Sequence, residues 1–138
     1  MSPTTWQLTM DTADPHAQAD FWAAALHYDV ENNSTLVQSL VDQGLVPAEA
    51  TIVHKGVLSF RNLRAIRGDG RRILFQVVPE GKTVKNRLHL DLNVGTEQIF
   101  AEAERLTGLG ATQLQEVDEP GTHHIVMADP EGNEFCVQ

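Results

Sequence analysis

The sequence predicts an α+β fold in which two βαβββ modules form a curled mixed sheet around a central cavity. The order strand, helix, strands occurs twice along the 138 residues, and each helix is bounded by residues that usually start or end one. Residues 1–82 form module one and residues 83–138 form module two, within a single domain over 1–138. Because residue identity between the halves is poor, the prediction depends on the shared order of elements.

Module one begins with a strand, because residues 6–11 alternate between apolar and polar side chains. Asp14 at the cap position and Pro15 in the first turn then predict a helix that ends near Leu26. Residues 34–45 have the apolar spacing of a second helix. Short strand segments complete the module, over Thr51–Val53, Val57–Phe60, Asn62–Arg67 and Arg72–Val78.

Module two repeats the plan with a strand over residues 87–94 and a helix over residues 96–107. Gly108 and Gly110 end that helix, because glycine readily adopts the left-handed backbone of a helix terminus. Three further strands follow, over Ala111–Val117, His124–Ala128 and Glu134–Gln138.

The first strand of module two has two very different faces. Leu88, Leu90 and Leu92 share one face, since side chains alternate along a strand. The other face carries Arg87, His89, Asp91 and Asn93. An ordinary surface strand also alternates, but a basic group, an imidazole and a carboxylate side by side are typical of a polar pocket.

Composition excludes several classes of function. Nineteen acidic against ten basic residues give a net charge of −9, which argues against nucleic acid as a partner. A single cysteine excludes an internal disulfide and a cysteine-based zinc cluster. No apolar run approaches the roughly 18 residues of a membrane span, and no signal peptide is recognisable, so we expect a cytoplasmic protein.

Three segments carry a family resemblance. The KNRLHLDL strand (residues 85–92), the DPEGNEFC ending (residues 129–136) and the helix start with Asp14, Pro15 and Phe21-Trp22 resemble the glyoxalase-like domains of the vicinal oxygen chelate superfamily. Residues 32–55 resemble a helical insertion that only some members have. The resemblance implies the fold but not the chemistry, because members include lyases, isomerases, dioxygenases, thiol transferases and drug-binding proteins.

The metal site of that superfamily is poorly matched here. Members that hold a metal use about four side chains, one from each of four inner strands. By this resemblance the four positions fall on Leu8, Gln76, His89 and Cys136, of which only His89 is a usual ligand. We therefore expect no metal cofactor. A divalent ion in a rearranged site with His89, Glu134 and Gln76 stays open as an alternative.

The remaining pocket residues follow from the strand faces. His89 and Glu134 are the predicted catalytic pair, since both exchange protons and Glu134 would face His89 from a neighbouring strand. Aligning Leu8 with His89 and Met10 with Asp91 gives an apolar wall of Trp6, Leu8 and Met10. The predicted polar side of the binding site consists of Gln76, Arg87, Asp91 and Cys136.

Several of these residues have simpler explanations. Arg87 and Asp91 can pair with each other, and Cys136 can be a small buried side chain. Phe21 and Trp22 are expected to pack in the core.

The function predicted from the sequence is a glyoxalase-like protein that binds a small organic molecule between its two modules without the usual metal. Two alternatives remain open: a metal-dependent lyase, isomerase or dioxygenase, and a drug-sequestering resistance protein without catalysis. By resemblance to relatives, we expect a homodimer. Whether the protein is an enzyme is left open by the sequence.

Overall fold

Each half of the chain forms a four-stranded sheet with one helix on one face. The computed structural model describes residues 1–138 and divides into two compact units, Met1–Glu80 and Gly81–Gln138. The elements in chain order are β1 (Leu8–Thr12), α1 (Pro15–Leu26), β2 (Asp29–Val30), α2 (Ser34–Asp42), β3 (Thr51–His54), β4 (Val57–Phe60), β5 (Leu63–Gly68), β6 (Arg71–Val77), β7 (Asp91–Leu92), α3 (Ile99–Leu109), β8 (Thr112–Glu119), β9 (Thr122–Ala128) and β10 (Glu134–Val137). None of the helices has the length and apolar character needed to cross a membrane.

The two sheets have the same topology. The strand order is β1-β6-β5-β2 in the first unit and β7-β10-β9-β8 in the second. In both, the first and last strands of the unit pair in parallel and the other neighbours are antiparallel. The predicted α+β fold with two βαβββ modules is confirmed. The cavity predicted between the modules stays a prediction.

Helix α1 begins and packs as the sequence predicts. The carboxylate of Asp14 accepts hydrogen bonds from the backbone N–H groups of His16 and Ala17, so it satisfies two donors at the helix start. Phe21 and Trp22 are almost completely buried, which confirms their predicted core role. Helix α1 covers the face of the sheet formed by β5 and β6.

The insertion contains more than a helix. The predicted helix over residues 34–45 is present as α2, but the chain then forms the two-stranded β3–β4 hairpin, which is a sheet of its own. The β3–β4 turn needs a left-handed backbone, which Lys55 and Gly56 adopt at φ 49° and 77°. The helical part of the predicted insertion is therefore followed by a hairpin that extends to Phe60.

A buried polar network links α1 to the end of this hairpin. His16 Nε2 lies 3.0 Å from the carbonyl oxygen of Phe60, and His16 Nδ1 lies 3.3 Å from Arg64 Nη1. Arg64 also donates to Ser59 Oγ at 2.7 Å. The neutral imidazole suits both contacts, because Nε2–H donates to the carbonyl and Nδ1 accepts from the guanidinium.

The second unit differs from its prediction mainly in its first strand. Only Asp91–Leu92 of the predicted 87–94 strand pairs as a strand, although the amide of Cys136 also donates to the carbonyl of Leu90. A 3-10 turn at residues 96–98 precedes α3. Leu106, on α3, is fully buried, and α3 contacts β8, β9 and β10.

The His16 network predicts a pH dependence of folding. Burial is the main cause that lowers the pKa of His16. The unfolded chain therefore binds more protons than the folded one once the pH falls below the unfolded histidine value of about 6.5. We expect the free energy of unfolding to fall between pH 6.5 and 5, by at most about 1.4 kcal/mol per pH unit from this group.

The matched variant is His16→Gln, which keeps a donor and an acceptor but does not titrate. Chemical denaturation of both proteins across this range should show a smaller pH slope in the variant. Equal slopes would contradict the prediction. Asp20 and Glu31 titrate below this range. Burial raises the pKa of Asp20, but His54 and Lys55 together lower it, and Arg72 lowers the pKa of Glu31, so the contribution of both carboxylates is lost only below about pH 4.5.

Candidate active or binding site

The parallel pairing of β7 with β10 brings the predicted site residues of the second unit together. Asp91 is the direct partner of Cys136 in the parallel register, and His89 lies two residues before Asp91. The alternate residues Phe135 and Val137 are buried in the core. Since α3 packs on that core side, we call the opposite face, which carries His89, Asp91 and Cys136, the open face of the second unit.

His89, Asp91 and Cys136 form a close cluster, here called the His89 cluster. His89 Nε2 lies 3.1 Å from Asp91 Oδ1. The imidazole nitrogen, the carboxylate oxygen and the sulfur all lie within 4.8 Å of one another. The side chains of His89 and Asp91 are 40% and 44% exposed, whereas Cys136 is buried. The imidazole of His89 and the carboxylate of Asp91 are thus accessible to solvent, and the buried thiol of Cys136 lies next to them.

The thiol of Cys136 is protonated at neutral pH. Burial raises its pKa most, and the neighbouring Asp91 carboxylate raises it further, because a second negative charge beside it is unfavourable. The Lys85 ammonium opposes this with a smaller lowering effect. Cys136 therefore lacks the thiolate character of a cysteine nucleophile.

Glu134 does not form the predicted pair with His89. Its carboxylate is 2.6 Å from Lys82 Nζ and accepts a hydrogen bond of 3.2 Å from the backbone N–H of Asn86. The hydrogen bond from Lys82 is the main cause that lowers the pKa of Glu134. An ionised carboxylate held in this way is a poor proton donor, and it anchors the 82–86 segment to β10. Asp91 is the carboxylate that accompanies His89.

The DPEGN turn sets the start of β10 and so places Glu134 and Cys136. Asp129 is buried, and its Oδ1 accepts hydrogen bonds from the backbone N–H groups of Glu131 and Asn133. The amide of Asn133 also donates to this carboxylate, at 3.0 Å from Oδ2. Gly132 has a φ of 90°, which favours glycine.

The predicted apolar wall of Trp6, Leu8 and Met10 is not formed by one face of β1. Gln18 on α1 donates to Met10 Sδ at 3.6 Å, so Met10 points to the helix-covered face, and Leu8 follows by alternation. Trp6 lies before β1 and is 82% exposed. The alignment of Leu8 with His89 is therefore wrong by one residue, and such a slip exchanges the two faces of a strand.

Gln7 is a polar residue at the start of the first strand that the sequence analysis did not select. It lies on the face opposite α1, and its Oε1 accepts a hydrogen bond from Arg72 Nη1 at 3.2 Å.

The other predicted polar residues are more exposed than expected. Gln76 lies opposite the α1 face and donates to Asp11 Oδ1 at 2.9 Å. Arg87 precedes the paired part of β7 and is exposed, and the predicted pair of Arg87 with Asp91 is replaced by the pair of His89 with Asp91. Leu88, on the apolar face of the predicted strand, is 83% exposed.

The environment of Cys136 predicts its reactivity. As the only cysteine, it reports directly in an alkylation assay with iodoacetamide on chelator-treated protein. We expect slow alkylation at pH 7.5 compared with the unfolded chain, and faster alkylation in Asp91→Asn, because removing the negative charge lowers the pKa of the thiol. Asp118→Asn on β8 is the control, because Asp118 pairs with His123 on the α3 side of the sheet, away from Cys136. An equal rate in wild type and Asp91→Asn would contradict this interpretation.

Several solved structures have the same fold at low sequence identity. The fosfomycin resistance protein FosX from Mesorhizobium loti has a TM-score of 0.67 at 12% identity, over 100% of this chain and 92% of that one. A glyoxalase/bleomycin resistance/dioxygenase family enzyme from Burkholderia phytofirmans gives 0.63 at 15% identity, over 95% and 94%. No curated protein matches the sequence significantly.

A further FosX structure allows a test of metal chemistry. A FosX variant from Listeria monocytogenes, complexed with Mn(II) and 1S,2S-dihydroxypropylphosphonic acid, gives a TM-score of 0.64 at 13% identity, over 100% of this chain and 90% of that one. Mn(II) prefers carboxylate, carbonyl and water oxygens, with imidazole, whereas a thiol is a soft donor. The His89 cluster offers one oxygen, one nitrogen and one sulfur donor. It does not fit Mn(II).

A family model identifies the family from the sequence. The model of the glyoxalase-like domain family matches residues 7–138, which is nearly the whole chain and includes both βαβββ units and the His89 cluster. With the shared fold of the solved relatives, this protein belongs to the glyoxalase-like domain family of the vicinal oxygen chelate superfamily.

Proposed function

We propose that this protein binds a small organic molecule on the open face of its second unit, with the His89 cluster as the polar centre of the site. The observation that carries the proposal is the convergence of an exposed imidazole and an exposed carboxylate over the buried thiol of Cys136. These groups provide hydrogen-bond donors and acceptors on one face, as ligand sites with a few convergent polar groups do.

The pairing of His89 with Asp91 gives the imidazole a defined orientation. One ring nitrogen is 3.1 Å from the carboxylate, so the other ring nitrogen is left to meet a ligand. If the bound molecule is a substrate, His89 is the group that transfers a proton and Asp91 positions it. This pair replaces the pair of His89 and Glu134 expected from the sequence, because Lys82 holds Glu134.

The FosX proteins are the relatives with a named role and a bound ligand. The FosX proteins are named for fosfomycin resistance, and one is complexed with Mn(II) and a dihydroxypropylphosphonic acid. The donor set of the His89 cluster supports binding without that ion. Among the alternatives, the exposed His89–Asp91 pair favours a lyase or isomerase over a drug-sequestering protein, because sequestration needs no proton-transfer group. A homodimer and a cytoplasmic location stay predictions.

Ligand binding is testable on chelator-treated protein with a library of small organic fragments, followed by two-dimensional amide NMR. We expect hits whose largest amide shifts fall in residues 89–93 and 134–138. The variant His89→Ala should weaken those hits about tenfold or more, since removing a hydrogen-bond partner of a polar ligand costs about 1–2 kcal/mol.

The matched control is His123→Ala in the same unit. His123 also pairs with a carboxylate, Glu116, at 3.0 Å, but it contacts the Phe100 ring on the α3 side of the sheet. Hits that map to other parts of the chain, or that respond to His123→Ala and not to His89→Ala, would overturn the proposed site.

A further inference from the structure

The first unit contains a buried guanidinium whose charge no carboxylate balances directly. Arg64 on β5 is 7% exposed. Its hydrogen-bond partners are the backbone carbonyl of Glu31 at 3.1 Å, Ser59 Oγ at 2.7 Å and His16 Nδ1 at 3.3 Å. All three are uncharged, since His16 is neutral when its Nδ1 accepts this bond. A buried charge is costly unless an opposite charge compensates it, so a negative group is expected beside Arg64.

The carboxylate of Asp20 does not fill this role. Burial is the main cause that lowers the pKa of Arg64, and the charge of Asp20 opposes this effect without forming an ion pair with the guanidinium. The Asp20 carboxylate is bound elsewhere, at 2.7 Å from His54 Nε2 and 3.0 Å from Lys55 Nζ.

The carboxylate of Glu31 is also bound by other groups. It accepts hydrogen bonds from Arg67 at 2.7 Å and from Arg72 at 2.8 Å, whereas Arg64 meets only the backbone carbonyl of this residue. Three guanidiniums therefore surround one carboxylate, which leaves a local excess of positive charge in a protein whose net charge is −9.

A small cavity lies beside the buried guanidinium. Its volume is about 10 Å³, which is room for one group of the size of a water molecule. The Nη2 atom of Arg64 carries two N–H groups and has no hydrogen-bond partner in the protein, so it is available to a group in the cavity. Six of the residues that line the cavity are Glu31, Asn33, Ser59, Phe60, Arg64 and Arg72.

We propose that this cavity, here called the Arg64 cavity, binds one small monovalent anion, chloride or an ion of similar size, with the guanidinium of Arg64 as its counter-charge. The volume admits a single-atom ion and is too small for sulfate or phosphate. Asn33 immediately precedes α2, and its side chain makes no capping hydrogen bond, so the positive end of the α2 dipole adds to the attraction.

The anion joins the two ends of the segment that contains α2 and the β3–β4 hairpin. Asn33 lies where the chain enters α2, and Ser59 and Phe60 lie where it leaves the hairpin. An ion held between them by Arg64 stabilises the attachment of this segment to β5. The site lies in the first unit and does not depend on the function proposed for the His89 cluster.

The first experiment measures the line width of the chlorine NMR signal of sodium chloride at increasing concentrations of the chelator-treated full chain. A chloride ion in an asymmetric protein site relaxes rapidly, so exchange with the bound ion broadens the signal. We expect broadening with the wild-type protein. An excess of bromide should reduce it by competition, whereas sulfate at the same ionic strength should leave it unchanged because sulfate does not fit.

Two variants remove the site in different ways. Asn33→Asp places a carboxylate at the cavity and should weaken chloride binding about tenfold or more, since like charges repel. Asn33 is exposed, so we expect this variant to fold. Arg64→Gln should abolish the broadening, and circular dichroism establishes that it folds. If Arg64→Gln does not fold, Asn33→Asp alone decides.

The matched control is Arg67→Gln. Arg67 lies on the same strand as Arg64 and also contacts Glu31, but it is exposed and does not line the cavity. This variant should broaden the chlorine signal as the wild-type protein does.

A parallel measurement is the melting temperature in sodium chloride and in sodium gluconate of equal ionic strength. Chloride at about ten times its dissociation constant should raise the melting temperature of the wild-type protein by about 3 °C or more relative to gluconate. This difference between the salts should disappear in Asn33→Asp.

The absence of broadening with the wild-type protein would overturn the proposal, as would broadening that Arg67→Gln removes and Asn33→Asp does not. An equal difference between the two salts in the wild-type protein and in Asn33→Asp would also contradict it. None of these results bears on fragment binding at the His89 cluster.

Discussion

The parallel pairing of the first and last strands of a unit is the constraint on which the site depends. In the second unit it joins residues distant in sequence, so that Asp91 becomes the direct neighbour of Cys136. The alternation of side chains then assigns Phe135 and Val137 to the core and Cys136 to the open face. A shift of this register by one residue would bury the polar set and expose the apolar one.

The same pairing shapes the first unit, with different chemistry. There β1 and β6 are parallel partners, with Met10 beside Phe75 on the helix side and Asp11 beside Gln76 on the other. The open side of this sheet carries amides and a carboxylate, among them Gln7 and Asp11, that bond to neighbouring side chains. The two sheets thus have the same topology, whereas the cluster of an imidazole, a carboxylate and a thiol lies on the open face of the second.

Local signals in the sequence were sufficient for most of the fold. The start of α1 follows from Asp14 and Pro15, and the core role of Trp22 follows from its place on that helix. The register of β1 was not predictable in this way. The alternation through residues 6–11 fixes which residues share a face but not which face is covered by α1, and the poor identity between the halves gave no independent alignment.

Only part of the site was predictable, because local patterns select residues of one strand but do not show which strands pair. His89, Asp91 and Cys136 were selected from the alternation of one strand and the family pattern of another. That they meet depends on a pairing between residues 91 and 136, which no local pattern encodes. The ion pair between Lys82 and Glu134 joins two segments far apart in sequence. Lys82 lies in a stretch without the apolar periodicity of a helix or a strand. Sequence reasoning missed it for lack of a signal.

The position of Asp91 beside both Cys136 and His89 gives this carboxylate two effects. Burial raises the pKa of the Cys136 thiol, and the negative charge of Asp91 raises it further, so the thiol stays protonated and unreactive. The same carboxylate lies 3.1 Å from His89 Nε2 and orients the exposed imidazole. Asp91 therefore suppresses the nucleophilic character of one neighbour while it positions the other. The group of the His89 cluster that is left to meet a ligand is the imidazole, because the thiol is buried and the imidazole is exposed.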